Sequence, residues 1–133
     1  MLGKRQHLKN MQKTVILDAN AILRYITDDI KEQADVVEEV LLSRDVLILP
    51  EVLAEVVYVM TKYYKYPKEK AAKYISKFLE DADCNNTVFN NALDNFGKTS
   101  MDFVDCLLYG YSKETKYEVF TFDKDLIKLL DKG

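Results

Sequence analysis

Histidine is nearly absent from this chain of 133 residues: the one copy, His7, lies in the first dozen positions. Mechanisms built on a histidine base are therefore poor candidates. Cysteine is scarce too, with Cys84 and Cys106 in different segments and in no zinc-ligand spacing. Both are expected to be free, buried thiols of a protein from a reducing compartment, the cytoplasm. Four glycines and two prolines leave little material for long loops. No apolar run is long enough to cross a membrane. Residues 1–13 are basic and polar with no apolar stretch, so they are not a signal peptide. They are expected to form an N-terminal mobile tail, with one domain over 14–133. Met11 is an alternative start, which would make residues 1–10 spurious. The net charge of −3 provides no general basic footprint, so any nucleic-acid contact must rest on a local patch.

What the chain does contain is a 48% hydrophobic composition, enough for one core, arranged in alternating short and long apolar segments. Thr14–Leu17, Val46–Leu49 and Glu118–Phe122 read as strands, and Cys84–Phe89 as a fourth, short one. Helices are expected at Ala19–Thr27, at Lys31–Ser43, and from Pro50 to about Tyr63. Another starts at Pro67, with Ala71, Tyr74, Ile75, Phe78 and Leu79 in helical spacing. Asn90–Phe96 should be a short helix closed by Gly97. Two more are expected from Ser100 or Met101 to Ser112 and over Asp123–Asp131. Strands nearly continuous in apolar residues and alternating with helices imply an α/β fold with a parallel sheet covered on both faces. Ligands of such sheets bind beyond the carboxyl ends of the strands.

Acids interrupt the apolar runs at four places. Asp18 follows Val-Ile-Leu, Glu55 lies within Val52–Val59, Asp105 within Phe103–Leu108, and Asp123 after Val119–Phe122. Glu55 and Asp105 have no basic residue four positions away on either side. Each acid has an ordinary explanation: Asp18 and Asp123 as helix N-caps, Asp105 as the edge of an amphipathic helix, Glu55 as a side chain reaching solvent. Asp102 reads as a first-turn acid of a capping box with Thr99. Four such acids meeting at one end of a parallel sheet would raise one another's pKa unless a hard cation sat among them. Magnesium and manganese take oxygen ligands of this kind.

The segments Val15–Leu23, Pro50–Glu55, Asp102–Asp105 and Thr121–Asp123, in this order, resemble the PIN-domain ribonucleases and within them the VapC-type toxins of toxin–antitoxin pairs. The resemblance spans residue 14 to the C-terminus. It implies a three-layer α/β/α sandwich around a mostly parallel sheet and a metal-dependent endoribonuclease leaving 5′-phosphate and 3′-hydroxyl ends. It further implies that Asp18, Glu55, Asp105 and Asp123 form a catalytic quartet holding Mg²⁺ or Mn²⁺, with Asp102 as a further ligand. Asn20 and Thr121 would orient ligands or water behind them. An RNA substrate, a cognate antitoxin and a homodimer are the partners it implies. Two alternatives stand beside it. One is a catalytically silent domain of the same fold that binds RNA or protein. The other is a phosphatase using Asp18 as nucleophile, although such enzymes carry a second aspartate where Asn20 stands.

For substrate contact, Lys124 and Lys128 are candidates with an equal claim to being surface counter-charges, and Arg24, one helical turn from Asn20, is a candidate phosphate or antitoxin contact. The run Lys62-Tyr-Tyr-Lys-Tyr-Pro-Lys68 mixes cations with aromatics, as single-strand binding requires. The preferred reading is that its tyrosines pack beneath a helix corner and its lysines solvate it.

Overall fold

The computed structural model describes residues 12–132. The tail expected at 1–13, with His7 and Met11, lies outside the described residues except for its last two. The elements run β1 (Val15–Ile16), α1 (Ala19–Thr27), α2 (Lys31–Ser43), β2 (Val46–Leu47), α3 (Pro50–Tyr58), a π-helical turn (Val59–Tyr63), α4 (Lys68–Asp81), α5 (Thr87–Lys98), α6 (Phe103–Glu114) and α7 (Lys124–Lys132). The architecture is mostly helical with a small parallel sheet, in which Val15 pairs with Val46 and Ile16 with Leu47.

Local chemistry explains most of the boundaries. Asp18 caps α1, its carboxylate accepting the Ala21 N–H at 2.8 Å. The helix ends at Asp28, whose left-handed backbone (φ 52°) lets its N–H reach the Arg24 carbonyl at 3.0 Å. Pro50 opens α3, where a missing N–H is harmless. Leu53, Val56 and Val57 of α3 and Met60 of the π turn then enter the core. Phe78, Phe89, Ile22, Ile75 and Leu93 are its other large, fully buried members. Each such side chain contributes roughly 1.5–3 kcal/mol by leaving water.

A helical wall of α4, α5 and α6 forms the best-covered part. Lys68 fastens it: its ammonium donates to the carbonyls of Thr99 (2.7 Å) and Met101 (2.6 Å) and lies 4.3 Å from the Phe96 ring centre. Gly110 allows α6 to cross the start of α5 closely, since a β-carbon there would stand 2.9 Å from the Val88 carbonyl oxygen.

Several expectations are corrected. Cys84–Phe89 is not a strand: the Asn86 side chain accepts the Phe89 N–H at 3.0 Å and starts α5 at Thr87. The helical spacing of Val88, Phe89, Ala92, Leu93 and Phe96 runs through the stretch read as a strand. Gly97 lies inside α5 rather than closing it. The capping box at Thr99 is absent too. Thr99 ends α5, and Asp102 precedes α6 at the N-cap position without a side-chain cap bond.

The sheet also departs from expectation. Residues 118–122 pair with neither strand, and Phe120 and Phe122 stand 86% and 87% exposed. Ile16 and Leu47 are exposed as well, so among the described residues the sheet is covered on one face and not on both. Cys84 and Cys106 are free; Cys106 is buried as expected, and Cys84 half-buried. Burial pushes the Cys106 thiol up to about 11, which leaves it an inert core residue.

Candidate active site

The carboxyl end of β1 delivers Asp18. Its side chain is exposed and one oxygen is committed to the Ala21 amide. The other oxygen remains available. An acid so placed at the strand–helix junction has no desolvation cost to offset. Asn20, two residues on, is exposed in the first turn of α1. With Asp18 and Arg24 it lines a shallow depression shared with Glu32 and Gln33 of α2. Arg24 is already engaged, pairing with Asp29 at 3.2 Å.

Glu55 projects from the middle of α3 and is exposed, so solvent carries its charge. At the start of α6, Asp102 is exposed and Asp105, in the first turn, is half-buried. Burial first, and then the neighbouring charges of Asp123 and Asp102, raise the Asp105 carboxyl above the usual range. Asp123 caps α7, accepting the Leu126 N–H at 2.9 Å. Its own N–H donates to Thr121 Oγ1 at 3.0 Å, so Thr121 holds the turn that presents Asp123. Lys124 and Lys128 are exposed on α7, and neither forms an ion pair among the described residues.

Asp102 and Asp123 thus lie near enough for their charges to bear on Asp105. Asp18 and Glu55 stand on α1 and α3, which pack together; α3 also touches α6, and α6 carries α7. Neither Asp18 nor Glu55 contributes to the shift of Asp105. Among the described residues, no three acidic, histidine or cysteine side chains are close enough to hold one ion between them.

Ion pairs engage only a few of the described acids, and the candidate site acids are not among them. Asp29, Asp35, Asp81 and Asp94 each meet a lysine or arginine within 3.2 Å. Asp18, Glu55, Asp102, Asp105 and Asp123 meet none among the described residues. Oxygen donors without a cation are the chemistry a hard divalent ion accepts, so the donor set fits such an ion although the cage is not closed.

The aromatic run also differs from expectation: Tyr63 and Tyr64 are exposed rather than packed under a corner. Sequence reading passed over Tyr58, which is exposed and edge-on to Tyr63 at 5.9 Å between ring centres. A separation of five residues matches no α-helical face, so no periodicity signal marked the pair.

A protein-family profile described as PIN domain matches residues 15–132. Comparison with curated proteins and with solved structures gave no significant match. The profile covers nearly the whole chain, and the chain belongs to the PIN domain family.

Proposed function

We propose that this PIN-domain chain is a Mg²⁺- or Mn²⁺-dependent endoribonuclease, the VapC-like toxin of a type II toxin–antitoxin pair, working in the cytoplasm as a homodimer. Membership of a family with a nuclease-type fold supports the general activity. The single observation that carries the reading to these residues is that the charges of Asp123 and Asp102 converge on half-buried Asp105, with no ion pair to offset them among the described residues.

In this reading Asp18, Glu55, Asp105 and Asp123 hold the cation, with Asp102 beside them. When bound, it neutralises the phosphodiester, acidifies a water and stabilises the departing 3′ oxygen. The rest of the work falls to the chain. The Ala21 and Leu126 amides fix one oxygen each of Asp18 and Asp123 and leave the other free. Thr121 holds the backbone of Asp123, and Asn20 orients a ligand or water next to Asp18. Asp105 has the strongest reason of the group to accept a proton or a cation, because burial and like charge oppose its bare carboxylate. Lys124 and Lys128 are free to meet RNA phosphates. The same unpaired acids would attract an arginine from a cognate antitoxin.

The test is RNA cleavage by Asp18→Asn and Asp105→Asn, with a chelator as control. Loss of a ligand should exceed the 10- to 100-fold effect typical of residues behind a metal site. Full activity in both variants would end the proposal. A second reading is favoured by one observation, the absence among the described residues of three acids gathered for one ion. It is a catalytically silent domain that binds RNA or protein. RNA binding without chelator-sensitive cleavage in the unmodified chain would select it.

A further inference from the structure

A cleft of about 420 Å³ opens between the end of α3 with its π turn and the start of α6, lined among others by Tyr58, Thr61, Lys62, Met101, Asp102 and Val104. Tyr58 is 54% exposed and Tyr63, edge-on beside it, 69% exposed. Large exposed rings side by side are wasteful for folding, since burying them would contribute favourably.

Their adjacency has a backbone cause. At about 3.6 residues per turn, positions five apart on an α-helix point to different sides. The π turn closes i to i+5, with the Tyr64 N–H on the Val59 carbonyl at 3.0 Å, and so brings residues 58 and 63 round to one side. π turns of this type recur at functional sites.

Charge and continuity identify the occupant. Lys62 lies between the two tyrosines in sequence, is exposed, and forms no ion pair among the described residues. Lys68, at the same cleft, is committed to the Thr99 and Met101 carbonyls and builds the wall instead. Asp102 belongs both to the cleft and to the group of acids that act on Asp105. The cleft therefore leads from an aromatic and cationic rim to the acidic cluster.

We propose that Tyr58 and Tyr63, with Lys62, form a base-stacking subsite for single-stranded RNA, holding an unpaired base next to the nucleotide presented to the acids. Stacking gives a preference for unpaired over duplex RNA and tolerates every base, because each has a π face. Lys62 takes the adjoining phosphate. The proposal rests on the ribonuclease reading for its choice of RNA, and its test is separate from cleavage.

The experiment measures binding of labelled oligonucleotides to the full chain by fluorescence anisotropy in chelator, so that nothing is cut. Three probes are compared: single-stranded RNA, the same backbone without bases, and the duplex. The chain should prefer the intact single strand. Tyr58→Ala and Tyr63→Ala should each weaken that binding about 5- to 100-fold and leave the abasic probe unaffected. Tyr58→Phe and Tyr63→Phe should restore it, since the ring suffices. Lys62→Gln should weaken intact and abasic probes alike and lower the salt slope by about one. Tyr117→Ala, an exposed residue outside the cleft, should change nothing. Equal affinity for intact and abasic strands, or alanine variants that bind as the parent does, would overturn the proposal. A chain that prefers intact strands yet cuts no RNA upholds the subsite while sinking the nuclease reading. A chain that cuts RNA with an unaltered KM after Tyr58→Ala does the reverse.

Discussion

Phe89 and Phe122 are the same residue in two differently finished parts of the molecule. Phe89, in the wall of α4, α5 and α6, is 2% exposed; Phe122, on the stretch between α6 and α7, is 87% exposed. Both lie in short apolar runs that read as strands. The difference lies in where the backbone finds its hydrogen bonds. The run at Phe89 became a helix, which satisfies itself locally once Asn86 caps it. The run at Phe122 would need a neighbouring strand, and among the described residues β1 pairs with β2 alone. The wall is therefore self-contained, while the sheet side is left open. The contrast extends to charge: within the wall, Asp81 of α4 and Asp94 of α5 pair with Lys77 and Lys98, whereas Asp18 and Asp123 on the open side pair with backbone amides. Asp18 and Asp123 each keep one carboxylate oxygen outside the capping bond, which leaves the open side with donors to spare.

The sharpest way to break this comparison is to truncate both phenylalanines. Phe89→Ala should destabilise by about 3–5 kcal/mol in denaturant titration, as core truncations of that size do. Phe122→Ala should stay within roughly 0.5 kcal/mol. A loss for Phe122 matching that of Phe89 would place residues 118–122 in a packed sheet and abolish the contrast.

Next in size are the two caps. Asp18→Ala and Asp123→Ala should each lower stability by about 1 kcal/mol, because the Ala21 and Leu126 amides lose their acceptors. Asparagine at either position should recover most of it. Equal losses for alanine and asparagine would mean that charge, not capping, holds these helix starts.

The smallest effect has the opposite sign. The Asp105 carboxyl is raised above the usual 3.8 by burial and by Asp123 and Asp102. Below 3.8 both folded and unfolded forms are protonated and nothing is lost. As pH rises through that value the unfolded chain releases its proton first, so the folded state loses stability until its own carboxyl ionises. Asp105→Asn should therefore be slightly more stable than the parent at neutral pH, and the gain should vanish in thermal melts below about pH 3.8. A variant that is less stable at neutral pH would show that Asp105 supports the fold rather than burdening it. Stability gained where activity is lost is the pattern expected of a functional acid.

How far the sequence foretold this molecule follows the same divide. α1 and α2 were legible to the residue, because their signals are local: Asp18 ahead of Ala19, and Ala34, Val37 and Leu41 on one face. Pro50 and Pro67 marked the starts of α3 and α4 for the same reason. Short apolar runs were not legible, since four to six residues fit a strand or a buried helix equally and the partner decides. The acids were recognisable as interruptions of apolar runs, and the charges of Asp102 and Asp123 do bear on Asp105. Solvent exposure of Glu55 was one of two open readings, because its neighbours Ala54 and Val56 are apolar while its own direction depends on how α3 is rotated. Tyr58 and its pairing with Tyr63 escaped notice because only a π turn makes the two neighbours.

The capping bonds of Asp18 and Asp123 have an evolutionary consequence. One nucleotide separates the codons of aspartate and asparagine, and asparagine caps a helix about as well. A single transition in the gene can therefore strip the negative charge from either position while the helix keeps its start. Descendants of this chain that fold normally but have lost one of these charges are one mutational step away, and they would carry asparagine at residues 18 or 123.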